Sequence, residues 1–438
     1  MQGQALTQSA RSCEAHREEQ KLEPKVAVDL VRVLAMVATD APELARGLTG
    51  GDTDSMSSAK VKRVLLYRLG SLGDHLVALP CYRLVQRAFP GAERRLLTNI
   101  PVMNKAAAAT SVLENSGLVD GYLTYVVGER GPLALLRLAW TIRRWKPDAL
   151  VYLAGARGEK AARRDRIFFR LCGIRRQIGL PLTEDLQRSR SEGTHDGVPW
   201  FEQEGRRLAR CVAELGDARV DDPASWAPGL TEEERQVGRQ LVEPFGGAPF
   251  FAFSLGTKAQ SNQWGGGTEG TARWQQLLSK LAAEWPGYGI AVIGARDEHE
   301  ASEGVAEAWR AVPGAGPALN LCGAAKPRVS AAVIERAVMF FGHDSGPAHM
   351  AAAVGTPVLG IYSARMMPGQ WIPNGEHVRV VLHWVECGGC LLDTCVVQGK
   401  KCILSIGVEE AWQATQEHLR KAQVQAIGKL PTFEEKRS

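Results

Sequence analysis

The stretch YRLGSLGDHLVALP, residues 67–80, decides the fold once it is set beside GHDSGPAHMAAAVGTPVLG, residues 342–360. Each follows an apolar run, passes through a glycine-rich turn holding an aspartate, and opens into an Ala- and Leu-bearing helix pattern. A strand, a glycine turn and a helix N-terminus make a ready site for an anion or a nucleotide. Two such segments about 275 residues apart predict two α/β domains facing each other across a cleft.

Working outward, Val61 to Tyr67 reads as a buried strand and Asp74 to Ala88 as the helix after it, stopped by Phe89-Pro90-Gly91. Arg95–Thr98, Leu118–Tyr125 and Ala149–Leu153 continue as strands, with a helix over Leu133–Trp145. Arg157 to Arg176 reads as one strongly basic helical stretch, and Pro181 to Pro199 as polar and irregular. A boundary is expected near Pro223–Pro249, around a helix at Thr231–Val242. A second alternation then runs from Phe250 to Tyr362, and Val408 to Gln425 forms a terminal helix. Strand–helix alternation is the mark of a parallel sheet covered by helices. The expected organisation is an N-terminal extension and linker (1–60), two Rossmann-like domains (61–235 and 245–405) and a C-terminal helix and tail (406–438).

The chain has 438 residues, 45% apolar and 23% charged, as in ordinary globular proteins. No apolar run is long enough to span a bilayer. The N-terminus is polar and acidic where a secretory signal would be basic, so a cytoplasmic protein is expected. The net charge of +5 is unevenly spread: residues 61–220 hold 27 Lys plus Arg against 16 Asp plus Glu, so the remainder is net acidic. A basic half attracts phosphate-bearing ligands or an anionic membrane surface, and solvated arginines on helix faces would read the same way. Nucleic acid is not expected, because the basic residues are not interleaved with aromatic stacking platforms.

Gly70-Ser71-Leu72-Gly73-Asp74 fails as a dinucleotide fingerprint: a third glycine is missing, and the second strand ends Thr98-Asn99 with no carboxylate for a ribose diol. Asp74 is either a helix cap or a general base at the cleft edge. In Asp344-Ser345-Gly346-Pro347-Ala348-His349, the helix amides suit a diphosphate, and Asp344 and Ser345 suit hydroxyls. Cys387, Cys390, Cys395 and Cys402 lie within 16 residues and are open to three readings: structural zinc, packed thiols or a local redox pair.

These motifs resemble glycosyltransferase family nine, the ADP-heptose:lipopolysaccharide heptosyltransferases. Arg68, the Gly-x-x-Gly-Asp of residues 70–74 and Pro80 are similar to that family's first motif; Asp344-Ser345-Gly346, His349 and Gly355-Thr356-Pro357 to its last. Ser254-Leu255-Gly256-Thr257-Lys258, with Trp264 and Trp274 following, looks like its central loop. The resemblance covers about 350 residues and implies a GT-B arrangement: two Rossmann-like domains with a central cleft, donor on the C-terminal one. It implies Asp74 as catalytic base, with Arg68, Gly70 and Gly73 on the acceptor side. It implies Lys258, Glu298 and Asp344 through His349 (Ser345, Gly346, Pro347, Ala348) as donor-binding. Asn262-Gln263 stands where relatives place a basic residue, so the phosphate role rests on Lys258. The implied reaction is inverting, metal-independent transfer of a heptose. The donor would be an ADP-sugar or another sugar nucleotide, with no cofactor required. The acceptor would be a lipid-linked or core oligosaccharide, with peripheral contact at the inner face of the inner membrane. A sugar-nucleotide epimerase-like enzyme and a non-catalytic sugar-nucleotide-binding protein are the alternatives.

Overall fold

The computed structural model describes residues 61–100, 109–126, 129, 131–257, 259–265 and 271–428. The expected N-terminal helix and linker, and Lys258, lie outside the described residues. The chain forms two compact units, with the break between Thr231 and Glu232. Met367–Trp371 belongs to the first unit again.

The first unit runs β1 (Arg63–Tyr67), α1 (Leu72–Leu76), α2 (Leu79–Ala88), β2 (Glu93–Ile100), α3 (Thr110–Leu113), β3 (Gly121–Val126), α4 (Pro132–Trp145), β4 (Ala149–Tyr152), α5 (Glu159–Leu171) and β5 (Arg176–Ile178). The five strands are parallel in the order β3-β2-β1-β4-β5. Leu65, Tyr67, Leu97, Leu150 and Tyr152 point from the sheet onto Ile142 and Phe169 of the covering helices. The helix expected at Asp74–Ala88 is two helices. It starts earlier, at Leu72, and breaks at Val77-Ala78, because Pro80 must sit in a first turn and has no N–H for a continuing ladder.

The stretch read as one helix over Arg157–Arg176 is shorter than expected. It ends at Leu171, Gly173 turns the chain at φ +93°, and Arg176 already belongs to strand β5. The stretch read as irregular contains α6 (Glu184–Gln187) and a hairpin, β6 (Ser191–His195) with β7 (Val198–Phe201). Asp196 and Gly197, at φ 51° and 78°, form its turn. Every residue of β6 is exposed, so no apolar alternation marks it in the sequence. Helix α7 (Glu204–Cys211) packs on α2, and Gly205 admits Trp226 so closely that a Cβ there would lie 2.6 Å from its ring.

The second unit opens with α8 (Glu232–Leu241), followed by β8 (Phe250–Ser254), α9 (Ala272–Glu284), β9 (Gly289–Val292), α10 (His299–Arg310), β10 (Ala318–Asn320), α11 (Pro327–Ile334), β11 (Phe340–His343), α12 (Gly346–Ala353), β12 (Val358–Tyr362), β13 (Val378–Leu382), α13 (Lys401–Leu404) and α14 (Val408–Gly428). Its six strands are parallel in the order β10-β9-β8-β11-β12-β13. Strand β13 is not signalled in the sequence: of its five residues only Val381 is buried and Arg379 is exposed, as befits an edge. Ion pairs Arg235–Glu335 (2.9 Å) and Arg328–Glu234 (2.6 Å) hold α8 to the body of this unit. In both sheets the first strand lies inside, with its second on one side and a later strand on the other. That is the topological switch point where α/β folds open a crevice at the strands' carboxyl ends.

Candidate active site

In the first unit the Gly70–Asp74 turn leaves β1 at the switch point. Asp74 is the third residue of α1, and its Oδ2 accepts from the Ser71 amide at 2.7 Å and the Ser71 hydroxyl at 3.0 Å. This is the returning half of a capping box. Among the described residues the other oxygen, Oδ1, has no hydrogen-bond donor, and the side chain is 27% exposed. One oxygen of Asp74 thus fixes the turn as a helix cap does. Gly70, at φ +123°, is required here, since a Cβ would lie 2.2 Å from Asp74 Cγ. Its amide donates to Asn99 Oδ1 at 3.0 Å, so the strand end that lacks a ribose-binding carboxylate instead ties down the turn. Gly73 lies inside α1.

Arg68 is buried beneath the turn, 1% exposed. Its Nε donates to the Asp74 carbonyl (3.0 Å) and its Nη1 to the Leu153 carbonyl (2.6 Å). Nη2 lies 3.8 Å from Asp74 Oδ1, and Nη1 3.8 Å from Glu204 of the buried Glu204–Arg207 pair. Arg68 thus puts a positive charge under Asp74 from inside the fold. Nothing in the local sequence marks it as buried.

In the second unit Asp344 and Ser345 connect β11 to α12. Asn262 donates through its side chain to Asp344 Oδ2 at 3.4 Å and accepts from the Ser363 hydroxyl. Asn262 therefore positions the aspartate. The Ala348 and His349 amides are occupied by the Ser345 carbonyl (3.2 and 3.4 Å), and Pro347 has no N–H. The donors that α12 offers an anion are the Ser345 and Gly346 amides and the Ser345 hydroxyl. Among the described residues, the buried hydroxyls of Ser345, Ser254, Thr257 and Tyr362 have no hydrogen-bond partner. All four lie at the carboxyl ends of neighbouring strands: Ser254 ending β8 and Thr257 just after it, Ser345 after β11, Tyr362 ending β12. Burial, and then the Asp344 charge, raise the Tyr362 phenol well above its ordinary pKa, so it stays a donor.

Glu298 joins this edge. Its carboxylate sits against Gly256 and Gly294, where added Cβ atoms would lie 2.1 and 2.4 Å from its oxygens, and it accepts from the Ala295 amide at 2.8 Å. Beneath the site, His343 Nε2 accepts from the Trp264 amide (3.0 Å) and from Trp274 Nε1 (2.9 Å). Its Nδ1 donates to the Leu255 carbonyl at 3.0 Å. Burial lowers its pKa to about 4. His343 is thus a neutral clamp holding the β8 loop, the Trp264 loop and α9 around the residue next to Asp344.

None of the four cysteines is paired in a disulfide. Among the described residues no group of three or more His, Cys, Asp or Glu side chains is placed to hold a metal ion. Lys400 links their segment to the site: its amide donates to Cys395 Sγ (3.2 Å), and its ammonium donates to the carbonyls of Gln263 (3.1 Å) and Gly265 (3.3 Å).

Residues 210–401 match the family model of glycosyltransferase family 9 (heptosyltransferase). No curated protein matches the sequence. Among solved structures, the chain is similar to a family 9 glycosyl transferase from Veillonella parvula DSM 2008, with TM-score 0.59, 16% identity, and coverage of 82% of this chain and 98% of that one. It is also similar to E. coli ADP-heptose LPS heptosyltransferase II, with TM-score 0.53, 16% identity, and coverage of 82% and 99%. A third is E. coli heptosyltransferase WaaC with ADP, with TM-score 0.51, 16% identity, and coverage of 81% and 99%. These likenesses support the α/β fold with two parallel sheets. Among the described residues no helix is long and apolar enough to cross a membrane.

Proposed function

We propose that the chain, whose residues 210–401 match the family 9 model, is a glycosyltransferase that moves a heptose from ADP-heptose, or a like sugar nucleotide, to a core oligosaccharide or other envelope glycan. The observation that carries the reading is the set of unpaired buried hydroxyls around Asp344 and the start of α12. Buried hydroxyls without partners cost free energy unless a ligand supplies the bond. Sugar hydroxyls and diphosphate oxygens do so.

The donor's diphosphate meets the Ser345 and Gly346 amides, with Lys258 as countercharge, and Glu298 takes ribose hydroxyls. Charge developing on the leaving diphosphate is stabilised by these fixed donors and the helix dipole. The acceptor hydroxyl gives its proton to Asp74 Oδ1 as its oxygen attacks the anomeric carbon, in a single displacement with inversion. Arg68 and Ser71 hold that carboxylate in place. The reaction needs no divalent metal, and its expected place is the cytoplasmic side of the envelope.

Calorimetry with ADP, UDP and GDP identifies the base. Asp344→Ala should weaken the full sugar nucleotide by about 10- to 100-fold, the worth of charge-assisted contacts of roughly 1.5–3 kcal/mol. Unchanged affinity would place the donor elsewhere. Turnover should persist in EDTA; a loss restored by magnesium would overturn the metal-free mechanism.

A further inference from the structure

Leu133 and Trp140 are 70% and 67% exposed, the two most exposed large apolar side chains among the described residues. They lie seven residues apart on α4, two turns along one face. Arg137 and Arg144 share that face and are exposed, while Ile142 and Trp145 point the other way into the core. The helix contains no acidic residue. Beside it, α5 exposes Lys160, Arg163, Arg166 and Ile167, the last 40% exposed. Arg143 Nη1 reaches the Leu171 carbonyl at 3.4 Å and joins the two helices. Together they carry eight cations against two carboxylates. Of those two, Asp165 is buried under Arg157 and Arg164, and Glu159 is spent on Arg163 at 3.3 Å.

Leu133 and Trp140 leave most of their apolar surface in solvent, side by side on one helix face, where a partner would bury it. The face is a ridge of one helix, apolar along its crest and cationic on its flanks. That pattern fits a deformable, negatively charged plane, in which tryptophan settles at the boundary between headgroups and acyl chains. Cations near such a surface add attraction that salt weakens. We propose that α4, flanked by α5, docks the first unit on an anionic phospholipid surface. Leu133 and Trp140 enter the acyl boundary, and Arg137 and Arg144 pair with lipid phosphates. This docking is independent of the transfer chemistry.

The test is flotation of the full chain with vesicles of phosphatidylcholine alone and with one third phosphatidylglycerol. The wild type should float with the anionic vesicles only, and 0.5 M salt should reduce binding. Leu133→Ser/Trp140→Ser and Arg137→Glu/Arg144→Glu should each weaken it at least tenfold, with unchanged circular dichroism and nucleotide affinity. Equal binding to both vesicle types, no binding to either, or wild-type binding by both double variants would overturn the proposal. So would a wild-type dimer, read by light scattering, that Leu133→Ser/Trp140→Ser turns into a monomer without vesicle binding; the ridge would then be a subunit interface.

Discussion

Replacing His343 by leucine preserves most of the volume at the centre of the second unit and removes all three of its hydrogen bonds. The Leu255 carbonyl, the Trp264 amide and Trp274 Nε1 lose their partner at once, all in the core beneath the site. At the low end of 1–3 kcal/mol for each buried group left unpaired, His343→Leu costs about 3 kcal/mol or more, a large part of a typical stability of roughly 5–15 kcal/mol. The pH dependence is a second, sharper signature. Burial chiefly, and then the Lys400 charge, lower the His343 pKa to about 4, against the opposing effect of the Leu255 bond. Above pH 6.5 the ring is neutral in both folded and unfolded chains. Between pH 6.5 and 4 the unfolded chain takes up a proton that the folded one refuses, so stability falls with pH by a total of about 3 kcal/mol. Amide exchange of β8 and β11 across pH 4–7 reads both effects. The wild type should lose protection on acidification, and His343→Leu should start lower and lose less. His75, whose pKa burial lowers to about 3, lies in the first unit and titrates alike in both proteins. A cost below about 1 kcal/mol, or identical acid slopes, would refute the clamp.

Asp74→Asn should lower turnover by about 100- to 10,000-fold, as loss of a general base does, with donor affinity kept; a third of wild-type turnover would dismiss Asp74. Gly70→Ala should destabilise the first unit and cut turnover without touching nucleotide affinity, because its Cβ meets Asp74 and its φ is +123°; thermal unfolding with calorimetry checks this. Asn262→Ala should weaken sugar-nucleotide binding several-fold by freeing Asp344, and Asn262→Asp should weaken it further through like-charge repulsion; equal affinity for all three proteins counts against the positioning role.

The sequence shows best whatever burial writes along the chain. The strands Phe250–Ser254 and Val358–Tyr362 are continuous apolar runs, and the structure has them with those limits. Asp74 and Asp344 were legible because glycines bracket them at strand ends. The hairpin at Ser191–Phe201 was not, because an exposed polar strand carries no period. Nor were the partners that place the two aspartates. Asn99 meets Gly70 from 29 residues away, and Ser363 meets Asn262 from 101. A buried guanidinium such as Arg68 reads as a surface cation until the fold closes over it. Local pattern finds candidate groups at strand ends; the groups that position them are set by contacts between residues far apart in sequence.

The five residues Met367–Trp371 also bear on how the chain is made. The Phe201 amide donates to the Pro368 carbonyl (2.9 Å) and the Glu204 amide to the Gln370 carbonyl (2.9 Å), while Gly369 fits so tightly that a Cβ would sit 2.1 Å from the Phe201 carbonyl. On the ribosome these residues emerge only after about 135 residues of the second unit have been synthesised. The first unit therefore waits, nearly whole, for a segment delivered through its neighbour. A fragment ending at Thr231 would lack that segment and leave the amides of Phe201, at the hairpin's end, and Glu204, at the start of α7, without their acceptors. Dissecting the enzyme calls for a permuted chain that supplies residues 367–371 in sequence, not for a stop codon at the boundary.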